Sequence, residues 1–143
     1  MSKSPNAYAF AAVAGLALSA CSDGYSGKND TLHLAYGMSQ QATLDAMNQL
    51  GDGRQLPTRF QFALLDGCIL EIQASGGLQR NVTQTVPLNG TEATLEKNPD
   101  SESYRVQMAY TSADSPGHTA LEGADWIDAT QMKWLLDYVR TFC

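Results

Sequence analysis

Three cysteines, Cys21, Cys68 and Cys143, and two histidines, His33 and His118, are the side chains of this 143-residue chain best suited to covalent or metal chemistry. A cysteine can be a nucleophile, a metal ligand, an acyl acceptor or half of a disulfide. Spacing discriminates among these. There is no C-x-x-C pair, and neither Cys68 nor Cys143 has a histidine close by in sequence, which counts against a catalytic thiol. The histidines sit in different segments, without H-E-x-x-H or a Cys/His cluster at zinc spacing, so neither a metal nor a cofactor is expected. G-x-S-x-G, S-x-x-K, the phosphate loop and G-x-G-x-x-G are all absent. Glu92 with Glu96, and Asp125 with Asp128, are the acid pairs that a glycosidase would need, yet their polar contexts read as solvated faces.

The first cysteine closes a run with a chemistry of its own. Residues 4 to 20 carry no charge, but the apolar part, about Ala7 to Ala20, is shorter than the ~20 residues of a membrane-spanning helix. Lys3 precedes it and small residues close it, the order of a secretory signal. Its end, Leu18-Ser19-Ala20-Cys21, resembles the lipobox of bacterial lipoproteins. That resemblance implies lipidation of the Cys21 sulfur, removal of residues 1 to 20, and acylation of the new amino terminus. Several acyl chains hold durably, since each buried methylene adds about 0.8 kcal/mol and one chain alone is marginal. Ser22 stands where many inner-membrane lipoproteins carry aspartate, so the resemblance points to the outer membrane, with the protein facing the periplasm.

On this reading the mature chain has 123 residues and, having lost only Lys3 among its charged groups, a net charge of −7. Such a surface repels nucleic acid and favours a basic protein partner. Cys68 and Cys143 are then an even pair in an oxidising compartment and are expected to form a disulfide. Closing a loop of about 75 residues adds roughly 4 to 5 kcal/mol in the chain-entropy picture. Residues 21 to 31 read as the lipidated cysteine and a polar tether spanning on the order of 17 Å, and residues 32 to 143 as one domain.

Hydrophobic periodicity gives the elements that must place these groups. In "SQQATLDAMNQLG", Ser39 caps a helix carrying Leu44, Met47 and Leu50, with Gly51 as a left-handed stop. In "RFQFALLDGCILEI" a three-residue loop of Leu65, Asp66 and Gly67 pairs Phe60 with Ile72, Phe62 with Leu70 and Leu64 with Cys68, so Cys68 points inward. Asn89-Gly90 predicts a second hairpin with Val86 and Leu88 on the face of Ala93 and Leu95. Pro87 then faces outward, a sign of a free or interrupted edge. Tyr104 to Tyr110 alternates as a fifth strand. Asp128 is the expected cap of the last helix, with Ile127 stapled to Met132 and a stripe of Met132, Leu135, Leu136, Val139 and Phe142 that brings Cys143 inward. The expected fold is α+β: an N-terminal helix, a five-strand antiparallel meander and a C-terminal helix, both helices on one face of the sheet, with one disulfide.

Thr111 to Ala124 reads as a long loop carrying His118, which is either a partner-binding loop or a simple excursion. Trp126, Trp134 and Tyr138 follow it, aromatic residues of the kind enriched at interfaces and also at core edges. Together with His118 they are the candidate partner-binding residues. "YGMSQQATLDAMNQLGD", Tyr36 to Asp52, is similar to the opening helix of the SmpA/OmlA group of outer-membrane lipoproteins, which brace the machinery that inserts outer-membrane barrels. The resemblance implies a helix leading into a meander and carries over no functional residue. Three functions follow: a non-enzymatic lipoprotein that binds or braces a protein partner, an inhibitor or immunity lipoprotein against a toxin or cell-wall hydrolase, and a cell-wall hydrolase. The missing nucleophile and metal motifs count against the last.

Overall fold

The first helix, α1 (Gln40–Gly51), starts where Ser39 accepts a hydrogen bond from the Ala42 N–H at 3.1 Å. Its buried face is Thr43, Leu44, Ala46, Met47, Leu50 and Gly51. The computed structural model describes residues 32, 34–77, 80–112 and 115–143. Cys21, the lipobox, the tether and His33 lie outside the described residues.

Six strands follow: β1 (Arg59–Leu65), β2 (Ile69–Ser75), β3 (Val82–Pro87), β4 (Thr91–Lys97), β5 (Tyr104–Tyr110) and β6 (His118–Ala124). The second helix, α2 (Trp126–Val139), runs into a 3-10 turn, η1 (Arg140–Phe142). The class is α+β, as expected, but the strands form two antiparallel three-stranded sheets, ordered β1-β2-β3 and β4-β5-β6, in place of one five-stranded meander. Helix placement differs as well. Helix α1 packs on β1, α2 packs on β4, β5 and β6, and the two helices pack on each other. One continuous core joins these layers, with Met47, Leu70, Val86, Met108, Leu121, Met132 and Leu136 fully buried.

Several local expectations are corrected. The first hairpin loop is Asp66-Gly67-Cys68, one residue later than expected, with Leu65 opposite Ile69, Leu64 opposite Leu70 and Phe62 opposite Ile72. A shift of the loop by one position moves each pairing by two, so Phe60, Phe62, Leu64, Leu70 and Ile72 still share a face. Cys68 itself leaves the strand and sits in the turn at a φ of 61°. Second, Asn89-Gly90 bends the chain, with Gly90 at a φ of 83°, but redirects it from one sheet to the next and closes no hairpin. The Thr91 hydroxyl donates to the Pro87 carbonyl across that bend at 2.7 Å.

Third, Thr111 to Ala124 is not one long loop, because its second half is β6. The strand escapes an alternation search because two bulges interrupt it: Leu121 faces Val106 while Thr119 faces Gln107, and Ala124 faces Tyr104 while Glu122 faces Arg105. The skipped residues are Ala120 and Gly123, and the burial of neighbouring Ala120 and Leu121 breaks the period of two. Fourth, the cap of α2 is Asp125, which accepts from the Asp128 N–H at 2.8 Å, and Ile127 is exposed and does not staple.

Two features fix how the layers meet. Gly51 does not terminate α1 with a left-handed turn; it lies inside the helix where a Cβ would collide with the Phe60 carbonyl. Asn48, one turn earlier, accepts from the Phe62 N–H at 2.7 Å and donates to the Phe62 carbonyl at 3.1 Å. Its carboxamide thus stands in for a neighbouring strand along the open side of β1. The Cys68–Cys143 disulfide, with Cα atoms 5.7 Å apart, joins the first hairpin turn to the residue after η1.

Candidate functional site

Every fourth residue from the start of α2 forms one row: Trp126, Thr130, Trp134, Tyr138 and, in η1, Phe142. Residues at this spacing are neighbours on a helix surface. The buried stripe, Ala129, Met132, Leu135, Leu136 and Val139, occupies the other side. Trp134 and Tyr138 are stacked, with ring centroids 4.9 Å apart and planes 11° from parallel. Phe142 meets Tyr138 edge-on at 5.6 Å.

The row also holds a segment from before α1. Tyr36 stands edge-on to Trp134 at 5.6 Å and to Tyr138 at 6.4 Å. The Tyr138 hydroxyl accepts from the Gly37 N–H at 2.7 Å and donates to the Met38 carbonyl at 3.4 Å. Gly37 adopts a φ of 95°, which a residue with a Cβ rarely does, and so turns the chain beneath Tyr36. Tyr36 is left 86% exposed although it touches two aromatic rings.

At the other end of the row Trp126 packs edge-on against Tyr104 at 5.2 Å. Trp126 remains 55% exposed and its neighbour Ile127 63% exposed. Asp125 and Asp128 flank this pair. Burial, and next the charge of Asp125, hold the Asp128 carboxyl above its ordinary range. From Trp126 to Tyr138 the row runs about 18 Å along the helix axis. Such a strip, apolar with an acidic end, suits contact with a protein surface that offers apolar and basic groups.

His118 is placed elsewhere. Its Nδ1 lies 3.1 Å from Gln84 Oε1 and its Nε2 lies 3.4 Å from the Tyr110 hydroxyl. This chain ties β3 to β5 and β6. Trp126 lies beyond the other end of β6, about 20 Å along the strand. Of the four candidate residues, then, Trp134 and Tyr138 touch, Trp126 extends their row, and His118 is a half-buried link between sheets. Sequence reasoning missed Tyr36, Tyr104 and Phe142 as members of the row. The four-residue spacing on α2 was the available signal for Phe142; Tyr36 and Tyr104 arrive from distant segments and left none.

The acid pairs are separated by the fold into surface roles. Glu92 and Glu96 lie four residues apart on β4, about 13 Å by strand rise, beyond the separation used in glycoside hydrolysis. The Asp125 carboxylate is engaged as the cap of α2, accepting from the Asp128 backbone N–H. Among the described residues no group of three or more His, Cys, Asp or Glu side chains is arranged to hold a metal ion. An open cleft of about 360 Å³ lies over Asn48, Gln61, Phe62, Ala63, Glu71 and Gln73, where Gln73 donates to Glu71 at 2.7 Å. Its lining offers amides and one carboxylate, of which Asn48 is engaged with the backbone of β1 and Gln73 with Glu71. Among the described residues no helix is long and apolar enough to cross a membrane. No protein-family model, curated protein or solved structure matches this chain.

Proposed function

We propose that this chain is a lipid-anchored lipoprotein of the bacterial envelope that binds or braces a protein partner without catalysing a reaction, and that the aromatic row of α2 is the binding surface. The observation that carries this reading is the exposure of Tyr36 against Trp134 and Tyr138, and of Trp126 and Ile127 at the start of the same helix. Large rings held in place by stacking and by the Tyr138 hydroxyl bonds lose little entropy on binding, which is what recurrent binding anchors supply. The likeness of Leu18 to Cys21 to a lipobox supports the address, with fatty acid on Cys21 and the outer membrane as the site.

Asp125 and Asp128 beside the exposed Trp126 favour a basic partner, and with it the second reading, an inhibitor or immunity lipoprotein aimed at a basic toxin or cell-wall hydrolase. The two readings differ in the identity of the partner. Affinity purification of the lipidated protein from its own envelope, followed by mass spectrometry, tests both. An envelope component recovered with wild type and lost with Ile127→Asp supports bracing, and a secreted hydrolase recovered in the same way supports inhibition. Recovery unaffected by Ile127→Asp and by Tyr36→Ala would remove the aromatic row from the account.

A further inference from the structure

The two outer strands of the first sheet are treated differently by the fold. Strand β1 is covered by α1 through Asn48 and Gly51. Strand β3 has no such cover among the described residues. Leu88 donates its N–H to the Cys68 carbonyl at 2.9 Å, which continues the β2-β3 register in which Val86, Gln84 and Val82 face Leu70, Ile72 and Ala74. Ladder bonds alternate along an antiparallel pair, so the even-numbered residues of β3 bond to β2 and the odd-numbered ones direct their N–H and C=O groups away from it. Thr83 and Thr85 are those residues. Both are exposed, and among the described residues neither has a hydrogen-bond partner on that side. The edge stops at Pro87, which has no N–H and whose carbonyl is taken by Thr91.

An open ladder accepts the backbone of another extended chain. What selects the occupant is the sequence of the edge, Val82-Thr83-Gln84-Thr85-Val86, which reads the same in both directions. We infer that β3 pairs antiparallel with β3 of a second copy of this chain about a two-fold axis at Gln84, joining two three-stranded sheets into one of six. In that register Thr83 lies opposite the second copy's Thr85, and both are outward-bonding residues. Four backbone hydrogen bonds therefore form without any change to the β2-β3 ladder. Val82 comes opposite the second copy's Val86, and threonine meets threonine twice, a favourable cross-strand pair. The edge carries no charge in a chain whose net charge is −6, so two copies meet there without a like-charge contact along the strands. A closed two-fold contact of this kind uses the same patch on both molecules and does not propagate into fibres. It lies on a different strand and sheet from the aromatic row and stands or falls independently of the proposed function.

The test uses the full chain purified in detergent, with protein molar mass measured by light scattering over a concentration series. Wild type is expected to reach twice the chain mass. Thr85→Pro removes one outward N–H and leaves the β2-β3 bonds in place, and is expected to be monomeric with a cooperative melt retained. Thr83→Lys with Thr85→Lys, and separately Thr83→Glu with Thr85→Glu, place like charges opposite each other and are each expected to be monomeric, whereas an equimolar mixture of the two restores the dimer through opposite charges. Wild type that stays monomeric at every concentration overturns the inference. So does a dimer that survives both charged variants, or one that the mixture fails to restore. If β3 takes up an extended segment of a different protein while no self-pairing forms, the inference also fails.

Discussion

At the scale of single residues, the positions that constrain this fold most tightly are those where a backbone or a charge has little room. A Cβ at position 51 would overlap the Phe60 carbonyl, a backbone atom that cannot rotate aside. Gly51→Ala is therefore expected to lower stability by about 1 to 3 kcal/mol, although alanine is the better helix former by about 1 kcal/mol. Denaturant melts check it, and a variant as stable as wild type would mean that α1 does not approach β1 so closely. Asp128 gives a prediction in pH. Its carboxyl is raised by burial and then by Asp125, so the folded chain binds this proton more tightly than the unfolded chain does. Such a group makes stability fall as pH rises through the interval just above the ordinary carboxylate range, and the penalty persists at neutral pH. Asp128→Asn is expected to flatten that descent and to melt higher at neutral pH. Identical melting profiles for the two proteins from acid to neutral pH would contradict it. Neither constraint was readable in the sequence. Gly51 looked like a helix stop because glycine after an apolar stripe usually is one, and Asp128 looked like the cap because Asp125 sits before Trp126 and Ile127, whose exposure only the fold reveals.

At the scale of elements, the disulfide is the clearest link between distant parts. The pairing of Cys68 with Cys143 was expected, and Cys68 packs against the core as its hairpin implied, but Cys143 does not turn inward: it is exposed at the end of the chain. The route was not legible, because the helical stripe was extended to Cys143 whereas α2 stops at Val139 and η1 covers the remaining distance. Cys68 adopts a left-handed backbone that costs a residue with a Cβ roughly 1 to 2 kcal/mol. Removing the bond is expected to cost about 2 to 5 kcal/mol and to raise hydrogen exchange first in η1 and the end of α2. Cys68→Gly with Cys143→Ser is expected to be more stable than Cys68→Ser with Cys143→Ser by about 1 kcal/mol, because glycine accepts that backbone freely. Equal stability of the two, by denaturant melts, would remove the claim that Cys68 is strained. The helices and β1 to β5 were legible because each kept its period of 3.6 or 2. Strand β6 was not, since the bulges at Ala120 and Gly123 destroy the alternation on which a strand is recognised, and Gly123 serves instead to admit Pro57, whose Cδ would lie 2.7 Å from an added Cβ.

At the scale of the whole molecule, the proposed function couples an address to a surface. Lipid on Cys21 would hold the domain near its membrane through a short tether, and the aromatic row lies on the helix that clasps Tyr36, Gly37 and Met38, the segment through which the tether would enter the domain. Cys21→Ser is expected to abolish incorporation of labelled fatty acid and to leave the protein unprocessed or released. Mature, membrane-associated and still lipid-labelled protein would contradict the address. Trp126, Trp134 and Tyr138 were legible as aromatics in the last helix, while their assembly with Tyr36 and Tyr104 depends on contacts across about 100 and 20 residues that no local pattern encodes. The central claim is that this row contacts a protein. The most direct measurement is photo-crosslinking in the native envelope, with a photoreactive phenylalanine analogue at position 36, 127 or, on the exposed face of β4, 96. The account predicts a crosslinked product of defined mass, containing one and the same second protein, from positions 36 and 127 and none from position 96. No protein product from 36 and 127, or the same products from all three positions, would contradict it.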